Sequence, residues 1–293
     1  MNKDSIIKIL VIVIIALLIC NIALLSIWGI VSIVTGTPMF HSPPSSQQPS
    51  KDPSTNAPDR PVNTVPSTSA VLGESADMGQ EYIDSMIFLG DSTTYHMINR
   101  AVLKDGKNTT QVWSGADEES GTPQASGTLT LDSKITSVHI YYPKTGEALT
   151  VAQAIAKEKP KYLIITLGVN GISFVKDMND PHYFVTCYGK LIDAVKQASP
   201  ETKIILQSIF PVTAAYDQKN NGITNARIDT ANTWIMQLAA DKGCKYLDTA
   251  SVLKNSNGTM VELYDAGDGV HMTADAYKAI LQYIRTHGYT DES

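Results

Sequence analysis

The chain has 293 residues, 43% of them hydrophobic, and a net charge of −6, which allows one or two domains. No Lys/Arg block or basic stripe interrupts it, so nucleic acid is not expected as a partner. The three cysteines and six histidines include no C-x-x-C pair and no H-x-x-x-H pair, so no metal or other cofactor is implied.

Residues 1–8 carry Lys3 and Lys8, and the run from Ile9 to Val34 that follows contains no charge. About 20 apolar residues suffice to span a bilayer, so 9–34 is predicted as one transmembrane helix. A cleaved signal peptide has a shorter apolar region and a small-x-small site, and neither is present. The residues before Cys20 are bulky where a lipoprotein signal has small ones. Basic residues precede the span and none follows it until Lys51, which puts the N-terminus in the cytoplasm and the rest outside, as in a signal-anchor. Residues 35–80 are rich in Pro, Ser and Thr and too poor in apolar surface to fold, so they read as a disordered extracellular linker. One folded domain is expected over 81–293.

Within it "SMIFLG" predicts a buried strand, "TYHMINRAVL" a helix and "TTQVWSG" a second strand. The stretch 115–148 has Gly and Ser clusters and a β-rich "SVHIYY", and yields no regular pattern. "LTVAQAIAKEKP" is a helix with Thr150 as its cap and Pro160 as its stop. "KYLIITLG" is a strand, and a helix follows with Asp180 as cap and Pro181 in its first turn. "TKIILQSIF" is a strand, and "TNARIDTANTWIMQLAADKG" a helix closed by Gly243. "CKYLDT" is a short strand, and "TADAYKAILQYIRTHG" is the last helix. Continuous apolar strands alternating with helices predict a parallel sheet covered on both faces, with an active site at the carboxyl ends of its strands. Cys187 and Cys244 lie in apolar patterns and read as buried free thiols.

Ser92 falls just past the first strand, at a helix start. A serine hydroxyl needs a base to take its proton, and the base needs an orienting partner. "YDAGDGVHMTADAY" supplies both in one loop, with His271 as base and Asp268 to hold its ring. Acyl transfer also needs donors for the developing oxyanion. Candidates are the Ser92 N–H, the Asn170 side-chain amide past the third strand and a backbone N–H at Gly115 past the second. Gly90 is expected to permit a sharp turn and Asp91 to brace the loop. Trp113, Tyr141 and Tyr142 could stack on a sugar, but strand core is the favoured reading, because aromatic residues suit strands anyway. The other histidines have no acid at motif spacing.

These residues resemble the SGNH hydrolases, also called GDSL esterases and lipases. Gly90-Asp91-Ser92 matches that family's first block, Gly168-Val169-Asn170 its third, and Asp268-Gly269-Val270-His271 its last. The resemblance covers most of residues 82–289. It implies an α/β, three-layer α/β/α flavodoxin-like fold, here preceded by one transmembrane helix, and an oxyanion hole of Ser92, a glycine and Asn170, with Asp91 and Gly168 supporting. Two departures stand out. Gly171 replaces the usual Asp of the third block, and the second block is poorly marked, so Gly115 is assigned to it with Gly121 and Gly127 as rivals.

The expectation is a membrane-anchored extracellular serine esterase that acts on acyl esters, acetyl above all, of a cell-wall or environmental polysaccharide or another small ester. A long tether fits a bacterial cell with a wall outside. An O-acetyltransferase acting on a cell-wall glycan is the alternative within the same chemistry. A non-catalytic wall-binding module on the same fold is the alternative of another class.

Overall fold

Runs such as Ile87-Phe88-Leu89 and Tyr162–Ile165 carry apolar side chains on both faces of an extended chain, so neither face can stay in water. The computed structural model describes residues 70–289. In chain order these form α1 (Gly79–Asp84), β1 (Met86–Gly90), α2 (Ser92–Asn99), β2 (Val112–Trp113), β3 (Gly115–Asp117) and β4 (Gln124–Ser126). Then come β5 (His139–Tyr142), β6 (Glu147–Thr150), α3 (Val151–Glu158), β7 (Tyr162–Thr166), α4 (His182–Ala198) and β8 (Lys203–Gln207). The remainder is α5 (Ala214–Asp217), α6 (Asn225–Asp241), β9 (Lys245–Leu247) and α7 (Ala274–Thr286).

The main sheet runs β2-β1-β7-β8-β9, and every neighbouring pair is parallel. Numbered among themselves these strands follow the 2-1-3-4-5 order of a flavodoxin-like sheet, so the order reverses between β1 and β7. Alternate residues feed two cores. Ile87, Leu89, Leu163, Ile165 and Leu206 pack with α3, α4 and α6. Met86, Phe88, Tyr162, Ile164 and Ile205 pack with α1, α2 and α7. Each fully buried Leu or Ile stabilises the fold by roughly 1.5–3 kcal/mol, so these strands could not sit at a surface.

Most helix ends follow the sequence chemistry. Thr150 accepts from Gln153 N while Gln153 Oε1 accepts from Thr150 N, a full capping box that starts α3. Thr224 and Thr273 cap α6 and α7 with their side chains, which accept from Arg227 N and Ala276 N. Asp180 accepts from His182 N, and the helix begins one residue beyond Pro181.

Two expectations change. The irregular stretch 115–148 holds most of a second, antiparallel sheet in the order β4-β3-β5-β6, whose strands are only three or four residues long. The ordered fold also starts before residue 81: Ala70 and Leu72 are buried, and Leu72 N donates to Tyr246 O at 2.9 Å, so residues 70–80 belong to the domain rather than to the linker. Trp113 and Tyr142 are core side chains, 1% and 3% exposed, packed edge to face. Cys187 and Cys244 are buried and free, and burial pushes the Cys244 thiol up to about 11. The predicted span 9–34 and most of the predicted linker lie outside the described residues. Among the described residues no helix is long and apolar enough to cross a membrane.

Candidate active site

β1 delivers the chain to the carboxyl edge of the sheet at Gly90, beside the point where the strand order reverses. Gly90 is not in the left-handed region. Its need for glycine is packing: a Cβ would stand 2.0 Å from Thr94 Oγ1 and 2.4 Å from Thr166 O, closer than any contact allows. With β1 and β7 held this close, Ser92 and the residues after Thr166 emerge side by side.

Asp91 then starts α2. It is 2% exposed, and its Oδ1 accepts from Thr93 N at 3.0 Å and from Thr93 Oγ1 at 2.7 Å. The backbone N–H of Gly168 also favours its charged form, so Asp91 couples the loop after β1 to the loop after β7. Burial pushes its carboxyl above the usual range against those hydrogen bonds. Ser92, next in line, is the first helical residue, and its N–H has no partner within the helix.

Ser92 Oγ lies 2.9 Å from His271 Nε2, and His271 Nδ1 lies 2.6 Å from Asp268 Oδ2. The second oxygen of Asp268 accepts from Val270 N at 2.9 Å and His271 N at 2.8 Å. Partial burial pushes the Asp268 carboxyl up, but the His271 side chain and these N–H groups outweigh it and hold it at about 2. A carboxylate that stays ionised is what a histidine needs to keep Nδ1 protonated and Nε2 open toward a hydroxyl.

The loop that carries His271 is tied down on each side. Asp265 Oδ1 accepts from Gly267 N and Gly269 N, and Thr213 N donates to Gly269 O at 2.9 Å. Arg100 Nε donates to Met272 O at 3.1 Å, and Tyr277 OH donates to Thr93 O at 2.5 Å, which fastens α2 to α7 across the site.

Asn170 starts the 3-10 turn Gly171–Phe174, two residues past Gly168. Its carbonyl accepts from Ser173 N, while its side-chain amide donates to no atom among the described residues. Arg227 Nη2 donates to Ile172 O and Val175 O at 2.7 and 2.6 Å and so fixes this turn. Gly171, which departs from the Asp of the resembled family, has no room for a side chain: a Cβ would stand 3.0 Å from Leu131 Cβ and Leu131 O.

Of the three candidate second-block glycines, the structure sets Gly127 and not Gly115 beside Ser92. Gly115 opens β3, and a Cβ there would meet Thr128 Oγ1, Leu129 N and Ser126 Oγ. Gly127 is the glycine on the serine, since its Cβ would stand 2.8 Å from Ser92 Cβ and 3.0 Å from Ser92 Cα. Pairing of Gly115 with Ser126 across β3 and β4 carries the chain back to Ser92 one residue after that strand. The rival glycine Gly121 has nothing within 4 Å of a built Cβ.

The arrangement therefore holds a hydroxyl, an imidazole and a carboxylate in one hydrogen-bonded line. Backbone and amide donors come from the loops around it. Among the described residues no group of three or more His, Cys, Asp or Glu side chains could hold a metal ion.

Residues 88–279 match the family model described as GDSL-like Lipase/Acylhydrolase family. A search of curated proteins finds no match. Among solved structures, a candidate platelet activating factor from Streptococcus pneumonia is 15% identical, with a TM-score of 0.47, and the match covers 69% of this chain and 82% of that one. The periplasmic domain of the lipopolysaccharide acetyltransferase of Salmonella ser. Paratyphi A is 15% identical, with a TM-score of 0.43 and coverage of 68% and 82%. An acetylxylan esterase from Geobacillus stearothermophilus is 14% identical, with a TM-score of 0.39 and coverage of 75% and 98%.

Proposed function

Because the chain belongs to the GDSL-like lipase/acylhydrolase family and is an ester-hydrolysing serine hydrolase, we propose that Ser92, His271 and Asp268 are its catalytic triad. The observation that carries this reading is the unbroken line Ser92 Oγ, His271 Nε2, His271 Nδ1 and Asp268 Oδ2, at 2.9 and 2.6 Å. His271 takes the Ser92 proton as Oγ attacks the ester carbonyl. The carbonyl oxygen becomes an oxyanion and receives the N–H groups of Ser92 and Gly127 and the amide of Asn170. As the tetrahedral intermediate collapses, the C–O bond to the alcohol breaks and His271 returns the proton to that alcohol. Water, deprotonated in turn by His271, then attacks the acyl-enzyme and releases the acid.

The substrate we propose is a small acyl ester, acetyl above all, on a cell-wall or environmental polysaccharide. Support for that choice is topological: the uncharged run 9–34, the lysines before it and the Pro/Ser/Thr-rich stretch after it fit a catalytic domain tethered outside a membrane.

Hydrolysis of p-nitrophenyl acetate tests the triad. Ser92→Ala and His271→Ala should each lower kcat/KM by at least about 10³-fold, with the melting temperature unchanged. Equal activity in Ser92→Ala and the parent refutes the assignment. Adding a glycan acceptor tests the reaction class, because predominant acetyl transfer to the acceptor instead of free acetate refutes a hydrolase.

A further inference from the structure

One face of α2 runs along the loop that carries the base. Residues four apart on a helix share a face, and Ser92, His96 and Arg100 have that spacing. Each of them touches the same short segment. Ser92 Oγ meets His271 Nε2 at 2.9 Å, and Arg100 Nε donates to Met272 O at 3.1 Å. Between them the His96 ring lies on the His271 ring, with centroids 4.4 Å apart and planes inclined by 32°.

His96 Nδ1 is buried and has no hydrogen-bond partner among the described residues. A proton there would be a buried donor without an acceptor, which is costly. The charged and titratable groups facing the ring are His271 and Arg100, which oppose a positive charge, and Asp268, which favours one. Burial first, then His271 and Arg100, push the His96 imidazole below its ordinary range, which favours the uncharged ring.

We propose that His96 is a positioning residue for acyl transfer: its ring stacks on His271, holds Nε2 on Ser92, and presents a π-face to the imidazolium formed as Ser92 loses its proton. This rests on His271 being the base. Only on the way to the tetrahedral intermediate does His271 carry that charge, so the stack stabilises the transition state more than the ground state. The signature is accordingly a kcat effect without a KM effect.

The test uses the full chain, p-nitrophenyl acetate, and His96→Leu, His96→Gln and His96→Phe beside Ser92→Ala. Removal of the aromatic face in His96→Leu should lower kcat about 10-fold with KM unchanged. His96→Gln, which is polar but has no ring, should fall as far and stands in if the leucine variant does not fold. His96→Phe keeps the face without a titrating nitrogen and should recover kcat to within about threefold. Its acid limb of kcat/KM should lie where the parent's does. Wild-type kcat in a folded His96→Leu or His96→Gln, losses in His96→Phe as large as in His96→Leu, a change confined to KM, or a displaced acid limb in His96→Phe overturns the proposal. Hydrolysis lost in Ser92→Ala but intact in His96→Leu overturns it alone. Hydrolysis that survives Ser92→Ala overturns the triad as well.

Discussion

Replacing Gly127 by alanine isolates the contact between the second sheet and the nucleophile. The added methyl would stand 2.8 Å from Ser92 Cβ and 3.0 Å from Ser92 Cα. Carbon atoms settle at about 3.5–4.0 Å, so one partner must retreat by roughly 1 Å. Both are held, Ser92 by the helix start that Asp91 caps and Gly127 by the strand that ends at Ser126. A displacement of that size between reacting groups costs on the order of 10²-fold, and loss of an oxyanion donor about 10²–10³-fold. Gly127→Ala should therefore lower kcat for p-nitrophenyl acetate by about 10²–10³-fold with KM little changed. Gly115→Ala is the comparison, because its methyl would press on Thr128 Oγ1 at 2.6 Å and Leu129 N at 2.8 Å, next to Gly127 in the chain but not on Ser92 itself. Overpacking there should cost about 1–3 kcal/mol of stability, a few degrees of melting temperature per kcal/mol, and lower kcat less than Gly127→Ala does. Wild-type kcat in Gly127→Ala, or a larger loss of kcat in folded Gly115→Ala than in Gly127→Ala, would refute the placement of Gly127 in the oxyanion hole.

Asp268→Asn should lower kcat by up to about 10⁴-fold, because an amide favours the wrong tautomer of His271; activity near that of the parent would remove Asp268 from the triad. The Asp268 carboxyl at about 2 lies below its unfolded value, so its stabilisation is present above about pH 4 and is lost as the pH falls through 2. Melting curves from pH 5 to pH 2 should thus fall more steeply for the parent than for Asp268→Asn. Arg227→Leu leaves Ile172 O and Val175 O without their donor, and should cost about 1–3 kcal/mol and loosen the Asn170 turn, read as a lower melting temperature together with a lower kcat. Thr150→Ala breaks the capping box of α3, far from the triad, and should cost about 1 kcal/mol with kcat unchanged.

The strands of the main sheet were legible because each is buried on both faces and so reads as an uninterrupted apolar run, as in Tyr162–Ile165. Ser92, Asp268 and His271 were legible for another reason, since their partners are close in sequence or sit at a strand end. The second sheet left no such trace: β3 and β4 are three residues each, and Asp117 and Gln124 are exposed. Choosing Gly127 over Gly115 requires the path of that sheet, because only the antiparallel return after Ser126 brings a glycine onto Ser92. His96 has no acid at helical spacing, and the ring it touches belongs to the far end of the chain. Leu72 sits in a stretch whose composition suits a linker, and it is the carbonyl of Tyr246 that recruits it.

The pairing of β1 with β7 spans five residues, from Met86 with Tyr162 to Gly90 with Thr166, in the middle of the sheet. Ser92 and Asn170 therefore rest on a support that parts only when the whole domain melts. His271 arrives on a loop whose Asp268 side chain is 54% exposed and whose fastenings include one hydrogen bond each to Arg100 and Thr213 and two to Asp265. Heat should thus disarm the protein before it unfolds it. The catalytic lifetime at elevated temperature is set by how long the base loop stays seated, and cooling should restore it without any refolding step.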